Sequence, residues 1–328
     1  MFAIAIDDQQ GLNWQEQEAP PRPGPGDVRI QVAWAGMNRA DLMQRAGHYP
    51  PPPGVTDTLG LEISGTVVEA GPRVERLRPG DKVCALLAGG GYAEEVVVDA
   101  AQVLPLPAGL GLREAAALPE VFATAWLNLF MEGGLRHVDG RPERVLLHAG
   151  ASGVGTAAIQ LCKAFDYPCF VTVGSEAKVE ACRRLGAEAG WNRHDGSFVD
   201  AVRDWGGADV ILDPVGAGYL ADNQRVLNQD GRLVLIGLMG GRTAELDMGR
   251  MLMKRQRFIG STLRSKSPRA KGAILDSLHT HVWPRLSRGE IRPLIDRDWP
   301  IQQAEAAMTY LESNESTGKV LLAVSGEG

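Results

Sequence analysis

Three glycines lie close together where an apolar stretch passes into a helix-forming run, in the sequence LLHAGASGVGTAAIQL. Gly150, Gly153 and Gly155, with Val154 between the last two, would place backbone N–H groups at the positive end of the helix, where they can hold a pyrophosphate. Ser152 replaces the middle glycine of the usual Gly-x-Gly-x-x-Gly pattern, and its hydroxyl could bond a phosphate oxygen instead. A sharp strand-to-helix turn without a ligand is the alternative, but the strand–helix alternation around it favours a nucleotide.

The next strand, CFVTV, ends in residues that bear on which dinucleotide binds. NAD enzymes usually place an acid there, whereas NADP enzymes lack it and supply positive charge. This chain has Gly174 and Ser175 at that point, with Lys178 one turn further and Arg193 after the following strand. Glu176 counts against NADPH, although the helix dipole alone explains an acid in a first turn. The two cations could be ordinary solvated charges, but the pattern favours NADPH as the cofactor.

Two kinds of element must position these residues. In the second half, the strands RVLLHAG, CFVTVG, DVILDPVG and RLVLIGLMGG alternate with amphipathic stretches, which predicts an α/β fold with a doubly wound parallel sheet. Residues 1–106 contain short β-rich segments and Pro/Gly turns, typical of a compact β-barrel or sandwich. The last strand, GKVLLAV, is expected to return to it. We therefore predict a discontinuous domain, 1–118 with 262–328, around a second domain, 119–261.

Composition and charge argue against several classes of protein. The 328 residues are 44% hydrophobic and 23% charged, which is typical of folded soluble domains. The net charge of -6 argues against a nucleic-acid-binding surface. No apolar run is long enough for a membrane span and MFAIAIDDQQ does not resemble a signal peptide, so we expect a cytoplasmic protein. The cysteines at 84, 162, 169 and 182 are scattered, and no metal site is predicted.

Longer stretches resemble one family along nearly the whole chain. They are NRADLMQRAGHYPPPPG, LGLEISGTVVEAG, HAGASGVGTAAIQL, LIGLMGG and GSTLRSKSPRAK. They are similar to the zinc-independent quinone oxidoreductase branch of the medium-chain dehydrogenase/reductase superfamily, and within it to the tumour-suppressor-inducible NADPH quinone oxidoreductases, with zeta-crystallin more distant. The resemblance implies a GroES-like catalytic domain, a Rossmann domain, a cleft between them for nicotinamide and substrate, and a homodimer joined through sheet edges.

The resemblance also bears on zinc. Zinc alcohol dehydrogenases of this superfamily use a Cys early in the barrel and the His of a Gly-His-Glu. Here Asn38 stands near the expected Cys, and the triplet reads Gly60, Leu61, Glu62. Asparagine and leucine cannot replace a thiolate and an imidazole around Zn²⁺. Without a Lewis acid to stabilise an alkoxide, we expect an acceptor that is already electrophilic.

Roles for the remaining candidate residues are implied by the resemblance alone. It places Asn38, Asp41 and Tyr49 on the substrate side and Thr124 near the nicotinamide. Tyr49 would donate to an oxyanion, pack against a flat ring or order the polyproline loop, and Asn38 and Asp41 could equally be structural, Asp41 as a helix cap. Further cofactor contacts are implied for a set of loop and tail residues, with the last two approaching the phosphates: Gly216, Gly237, Leu238, Met239, Leu263, Arg264, Ser316 and Lys319.

The sequence thus predicts a zinc-independent oxidoreductase that transfers hydride from NADPH to a quinone or conjugated carbonyl. An enone or enoyl-thioester reductase would use the same cleft. A cofactor-binding redox sensor with weak catalysis is the alternative from another class. No dedicated general acid or base is evident, so product protonation is expected to come from solvent.

Overall fold

The computed structural model describes residues 1–325. The chain forms two compact units, Met1–Ala123 with Leu263–Gly328 and Thr124–Thr262. Their boundaries lie slightly later than the sequence suggested, at 123 against 118 and at 262 against 261. None of the helices among the described residues has the length and apolar character needed to cross a membrane.

Seventeen strands and eleven helices are described in this chain. The strands are β1 (Phe2–Ile6), β2 (Leu12–Glu16), β3 (Asp27–Gly36), β4 (Glu62–Ala70), β5 (Lys82–Leu86), β6 (Glu95–Asp99), β7 (Val103–Pro105), β8 (His137–Val138), β9 (Arg141–Pro142), β10 (Val145–His148), β11 (Cys169–Val173), β12 (Ala189–Asn192), β13 (Ala208–Asp213), β14 (Leu227–Leu235), β15 (Arg257–Gly260), β16 (Ile295–Pro300) and β17 (Lys319–Ala323). The helices are α1 (Arg39–Arg45), α2 (Leu112–Ala115), α3 (Pro119–Trp126), α4 (Gly153–Ala164), α5 (Glu176–Leu185), α6 (Val199–Trp205), α7 (Leu220–Val226), α8 (Met248–Lys254), α9 (Pro268–His281), α10 (Trp283–Ser287) and α11 (Ala304–Glu312). Short 3₁₀ turns lie at Ala100–Gln102, Arg193–Asp195, Ala217–Tyr219 and Ile301–Gln303, and a π-helical turn at Leu127–Glu132.

The first unit is built on a seven-stranded, largely antiparallel sheet. Its order is β16-β17-β3-β4-β5-β7, and β6 also pairs with β3. Along the first half of β3, Val28, Ile30 and Val32 alternate with more exposed residues and enter one large apolar core, as a period of two requires. β17 lies antiparallel to β3, with Leu322 opposite Ala35. The C-terminal tail therefore completes the sheet that the N-terminal strands begin.

The second unit contains a six-stranded sheet in the order β12-β11-β10-β13-β14-β15, with every pairing parallel. This confirms the predicted doubly wound sheet. All four residues of β10 and all five of β11 are buried, which explains why these strands are continuous apolar runs rather than alternating ones. The chain enters at β10 and winds outward in both directions, so the strand order reverses between β10 and β13. Ligands of such sheets bind at this reversal, beyond the carboxyl ends of the strands.

The helix-forming stretch LREAAALPEVFATAWLNLF is divided in the structure. α2 ends at Ala115 and α3 begins at Pro119. Proline has no N–H to donate within a helix and disfavours helical backbone at the residue before it. Pro119 therefore begins a new helix and brings Glu120 into its first turn.

Candidate active site

The glycine-rich loop lies at the carboxyl end of β10, as its sequence predicts. Ser152 caps α4, and its Oγ accepts the N–H of Gly155 at 3.1 Å. The N–H groups of Gly153 and Val154 have no acceptor among the described residues. Because the start of a helix also carries a positive dipole, these two amides fit a phosphate. The hydroxyl of Ser152 acts first as a helix cap and still has its own proton to donate.

Close packing explains two of the three glycines. A Cβ on Gly150 would lie 2.6 Å from the Cβ of Val171, and one on Gly155 would lie 2.5 Å from the carbonyl oxygen of Ala149. Ala149, rather than Gly150, adopts the left-handed conformation of the turn, with φ of 53°. Gly150 is thus needed for contact between the loop and β11.

Arg193 lies at the carboxyl end of β11. It directly follows β12, which pairs in parallel with β11, so the two strands end at the same edge of the sheet. Ser175 caps α5 by accepting the N–H of Lys178 at 3.3 Å. A Cβ on Gly174 would lie 3.5 Å from Nη2 of Arg193, so the guanidinium lies against this glycine. Arg193 itself is exposed. The structure therefore brings Gly174 and Arg193 together at the edge where the sequence predicts the adenosine phosphate.

A buried polar chain orders the loops around this edge. Nδ1 of His148 is 2.8 Å from Oγ1 of Thr172, and Nε2 is 2.7 Å from Oδ1 of Asn223. Nδ2 of Asn223 donates to Oδ2 of Asp213 at 3.0 Å, and Oδ1 of Asp213 accepts the N–H of Gly216 at 3.0 Å. Burial lowers the pKa of His148, so the ring is neutral and bonded at both nitrogens. This network fixes the loop that begins at Gly216.

A cavity of about 310 Å³ lies beside the Gly216 loop. Gly216 and Leu238 line it together with apolar residues of the last strands of the sheet. Gly216 has φ of 80°, and a Cβ on Gly237 would lie 2.7 Å from the carbonyl oxygen of Pro214. Leu238 and Met239 are about half exposed, at 46% and 48%. The predicted residues of this loop thus lie at the carboxyl end of the sheet.

In the first unit, Asn38 and Asp41 take part in the hydrogen bonding that joins the start of α1 to its neighbouring loops and strands. Asp41 is fully buried, and its Oδ2 accepts the N–H of Asn38 at 2.7 Å and the hydroxyl of Tyr92 at 2.8 Å. Oδ1 accepts the N–H of Gly60 at 3.3 Å. Asp41 therefore has the helix-capping role that the sequence left open, and its place among the substrate-side residues stays a prediction that its burial does not support.

A buried ion pair lies beside Asn38. Nζ of Lys319 is 2.6 Å from Oε1 of Glu62 and donates to Oδ1 of Asn38 at 2.8 Å and to the carbonyl oxygen of Met37. Nδ2 of Asn38 donates to Oε1 of Glu62 at 3.0 Å. All three N–H groups of the ammonium are therefore used inside this unit, and Lys319 is 3% exposed. The structure thus commits Lys319 to this ion pair, and its contact with a phosphate stays a prediction that this geometry does not support.

Arg264 is likewise committed to the first unit. Its Nε donates to the carbonyl oxygen of Ala88 at 2.7 Å, Nη1 to that of Tyr49 at 3.1 Å and Nη2 to Oε1 of Gln44 at 2.6 Å. The guanidinium also lies 5.1 Å from the centre of the Tyr49 ring. Arg264 is 4% exposed and orders the Tyr49 loop, so its predicted role as a nicotinamide contact is not supported.

Tyr49 remains suited to hydrogen bonding with a substrate. It is half-buried, and burial raises the pKa of its hydroxyl, which therefore keeps its proton.

The remaining predicted site residues are more buried or carry no ionisable group. Thr124 lies in α3 and Leu263 begins the returning segment, both largely buried at 8% and 6% exposure, and Ser316 lies half-buried in the loop before β17.

Comparisons with known proteins agree with this geometry. Residues 24–108 match the alcohol dehydrogenase GroES-like domain, and residues 153–278 match the zinc-binding dehydrogenase family. The rat synaptic vesicle membrane protein VAT-1 homolog is 32% identical over 92% of this chain and 78% of its own length. The rat quinone oxidoreductase-like protein 2 is 30% identical over 94% of this chain and 88% of its own length. The chain belongs to the medium-chain dehydrogenase/reductase superfamily of oxidoreductases.

A solved structure supports the same assignment. The crystal structure of an NAD-dependent alcohol dehydrogenase superposes with a TM-score of 0.86 at 28% identity, over 99% of this chain and all of that one. Membership of the superfamily confirms the predicted combination of a GroES-like domain with a Rossmann sheet. The finer resemblance to the tumour-suppressor-inducible quinone oxidoreductases stays a prediction.

The residues found where zinc members of the superfamily hold their catalytic metal do not fit zinc. Leu61 is apolar and buried, the amide of Asn38 is bonded at both ends, and Glu62 is paired with Lys319. Within residues 1–325, no group of three His, Cys, Asp or Glu side chains could hold a metal ion. We therefore assign no step to a metal in this dehydrogenase/reductase.

Two ionisable residues of the first unit, Glu120, which is half-buried, and Lys271, which is buried, were missed in the sequence. Glu120 follows Pro119 in α3, and its N–H donates to Oε2 of Glu62 at 2.9 Å. Burial and the neighbouring charge of Glu62 raise the pKa of Glu120 to about 8. Lys271 in α9 is 2% exposed, and burial lowers its pKa, whereas Glu120 opposes that shift. In the sequence, a glutamate after a proline and a helical lysine look like ordinary surface charges, so only their burial identifies them.

The raised pKa of Glu120 predicts a pH dependence of stability. The unfolded carboxyl releases its proton near 4.5 and the folded one near 8. Between these values the unfolded state gains charge that the folded state does not, so the free energy of unfolding falls as pH rises. Glu120→Gln removes this fall, and we expect its stability relative to wild type to increase by about 1–3 kcal/mol between about pH 5 and pH 8.

Urea denaturation at a series of pH values measures this difference. Glu75→Gln, at an exposed position of the same unit, is the matched control and should follow wild type at every pH. A Glu120→Gln difference that stays constant with pH would show that Glu120 titrates at its ordinary value in the folded protein.

Proposed function

We propose that this protein is a zinc-independent reductase that transfers hydride from NADPH to a quinone. The observation that carries the proposal is the paired, hydrogen-bonded cluster of Asn38, Glu62 and Lys319 where related zinc enzymes hold their metal. Such a cluster offers no Lewis acid, so it suits an acceptor that is electrophilic without one. A quinone needs only the correct placement of the hydride donor and a hydrogen bond to the oxygen that becomes charged.

The second unit has the residues to hold the cofactor. The N–H groups of Gly153 and Val154 suit the pyrophosphate, because they lie at the start of α4 and have no acceptor among the described residues. Arg193 against Gly174, together with Lys178, suits the adenosine 2′-phosphate of NADPH. Arginine binds a phosphate in a bidentate manner that a lone amide cannot match. When bound, NADPH supplies the hydride.

Tyr49 supplies the hydrogen bond on the acceptor side. Its protonated hydroxyl suits the donor that stabilises the developing oxyanion. Arg264 holds the main chain of Tyr49 and stacks over its ring, which limits the conformations of this loop. A side chain held in place before the reaction loses less entropy in the transition state.

A steady-state panel tests the proposal. NADPH and NADH oxidation would be followed with 9,10-phenanthrenequinone, a simple para-quinone and a short enone, each with and without a chelator. We expect NADPH-dependent quinone turnover that the chelator leaves unchanged. Turnover of the enone alone would favour an enone or enoyl-thioester reductase. Binding of NADPH without turnover of any acceptor would favour a redox sensor and contradict the proposal.

Removing the positive charge at the end of β11 tests the choice of cofactor. In Lys178→Ala/Arg193→Ala we expect the KM for NADPH to rise about 10- to 100-fold, because losing both charges at this solvent-accessible edge costs about 1.4–2.8 kcal/mol in total. The KM for NADH should stay unchanged, since NADH lacks the 2′-phosphate. Arg183→Ala/Arg184→Ala is the matched control, because it removes two positive charges from the last turn of α5, the helix that contains Lys178. An NADPH preference that survives the first double variant would contradict this assignment.

We further propose that the protein is a homodimer joined through the second unit. β15 is an edge strand of the six-stranded sheet, and the preceding helix α8 exposes Met248, Leu252 and Met253 by 74%, 76% and 78%. Apolar side chains this exposed beside a strand edge are typical of a surface that another chain covers.

Light scattering tests the dimer. Wild type should have twice the mass of one chain, and Leu252→Glu/Met253→Glu should shift it to the monomer, because a buried interface does not tolerate unpaired charges. Met131→Glu/Val138→Glu, at residues exposed by 46% and 44%, is the matched control. A wild-type monomer would contradict this proposal without affecting the proposed reaction.

A further inference from the structure

Another cavity of the second unit lies at the end of the sheet opposite to the glycine-rich loop. It has a volume of about 350 Å³. Gly206 and Gly207, which directly precede β13, line it together with Val226, which directly precedes β14. The glycine-rich loop follows the carboxyl end of β10, and β10, β13 and β14 run parallel. The cavity therefore lies at the amino ends of the strands, whereas the residues that suit the cofactor lie at the carboxyl ends.

The lining of this cavity is strongly basic. Every charged residue that the structure describes in it is a cation, and these residues are Arg203, Arg225, Arg250 and Lys254. They come from three helices, Arg203 from α6, Arg225 from α7 and the other two from α8. The packing of these helices thus brings together positive charges that are far apart in the sequence.

Helix dipoles do not account for the cluster. Arg203 and Arg225 lie in the last turns of α6 and α7, where the negative end of the dipole favours a cation. Arg250 lies in the first turn of α8, where the dipole disfavours one. A dipole also acts only at the ends of its own helix, so it does not explain why cations of three helices share one cavity.

Two of the four cations are already paired with acids. Nη1 of Arg225 is 3.3 Å from Oδ1 of Asp222, and Nε of Arg250 is 3.5 Å from Oδ2 of Asp247. Each pair joins residues three apart on one helix, and all four side chains are partly exposed, so the pairs are screened by solvent. They neutralise half of the positive charge of the lining.

The other two cations bond to uncharged oxygens. Nζ of Lys254 donates to the carbonyl oxygen of Leu227 at 3.0 Å, and Nη2 of Arg203 donates to that of Arg225 at 3.5 Å. Within residues 1–325, neither has an acid at ion-pair distance. Lys254 is half-buried, and its burial, with the charges of Arg250 and Arg203, lowers its pKa. The cavity thus holds two positive charges that repel each other and have no counter-charge.

Gly206 allows a further cation to approach. It has φ of 112°, which favours glycine, and a Cβ there would lie 2.8 Å from Nη1 of Arg144. The guanidinium of Arg144 is also 5.4 Å from the centre of the Trp205 ring, which holds it beside the cavity. A side chain larger than hydrogen at position 206 would displace this guanidinium. The loop before β13 therefore adds to the positive charge at the cavity.

We propose that this cavity binds a phosphate monoester of a small soluble molecule. Its two unpaired positive charges match a phosphate monoester, which carries a charge of about −1.5 to −2 at pH 7. Guanidinium groups present their N–H donors in the planar arrangement that phosphate oxygens accept. A volume of about 350 Å³ is in the range of small-molecule pockets, so it has room for the organic part as well as the phosphate. This inference goes beyond the proposed reductase function and does not rest on it.

The proposed dimer surface is on a different face of α8. Successive residues are about 100° apart around a helix, so Arg250 is about 200° from Met248, and Lys254 is about 200° from Leu252. Met248 and Leu252 are the exposed apolar residues, whereas Arg250 and Lys254 are half-buried and line the cavity. The cavity-lining side chains of this helix therefore point away from that surface.

Calorimetric titration with glycerol 3-phosphate tests the inference. Wild type and Lys178→Ala/Arg193→Ala are both titrated, because the second lacks the cations proposed to hold the 2′-phosphate of NADPH. We expect the double variant to bind one glycerol 3-phosphate per chain. Adding Arg203→Ala/Lys254→Ala to it should weaken this binding about 10- to 100-fold, because both unpaired charges are lost. Dimethyl phosphate, which carries one negative charge, should bind about 10-fold more weakly than glycerol 3-phosphate.

A matched control removes two positive charges from another part of the second unit. Arg183→Ala/Arg184→Ala, in the last turn of α5, should leave the binding of glycerol 3-phosphate unchanged in the same background. If the alanine variant of the cavity does not fold, Arg203→Gln/Lys254→Gln keeps N–H donors at both positions and should show the same loss.

The outcomes separate this site from the cofactor site. A wild type that does not bind glycerol 3-phosphate overturns the inference and leaves the proposed reductase unaffected. Binding to wild type that is lost in Lys178→Ala/Arg193→Ala places the phosphate at the proposed cofactor site and also overturns the inference. Binding that survives Arg203→Ala/Lys254→Ala, or that falls equally in Arg183→Ala/Arg184→Ala, shows that the cavity is not responsible and overturns it as well.

Discussion

The buried ion pair between Glu62 and Lys319 is the constraint on which the first unit depends. Glu62 begins β4 and Lys319 begins β17, more than 200 residues apart in the chain, and each is almost completely excluded from water. Moving two charges out of water is repaid only when the geometry is good and the remaining hydrogen bonds are made. Asn38 and Met37 supply those bonds to Lys319. The pair therefore specifies where the C-terminal strand returns, in addition to any stability it adds.

The same pair sets the chemistry that this unit can perform. Its oxygens and N–H groups are used by one another and by Asn38, so the positions that hold a metal in zinc dehydrogenases are closed to one here. A reaction in this unit must therefore stabilise negative charge with hydrogen bonds and neutralise it with a proton. That requirement is consistent with the proposed quinone acceptor, which needs no metal to become electrophilic.

Short-range patterns made the second unit predictable, whereas long-range contacts limited the prediction of the first. The parallel sheet and the loop from Gly150 to Gly155 follow from local alternation and spacing, and both are found where expected. The burial of Asp41, Lys319 and Arg264 depends on partners that no spacing reveals: Gln44 and Arg264 are separated by 220 residues. A charged residue that resembles a cofactor contact in the sequence can thus be a structural group, and only its partners tell the two apart.

His148 and Glu120 show why burial alone does not identify a functional residue. Burial drives both to the neutral form, the imidazole by losing a proton and the carboxyl by keeping one. Both nitrogens of His148 have fixed partners, and the chain from Thr172 to Asp213 leaves it no route for a proton. Glu120 lies beside Glu62, whose carboxylate accepts its N–H, and the charge of Glu62 adds to burial in raising the pKa of Glu120. Burial together with local hydrogen bonds or charges accounts for both shifts, so a shifted pKa does not by itself assign either residue to the reaction.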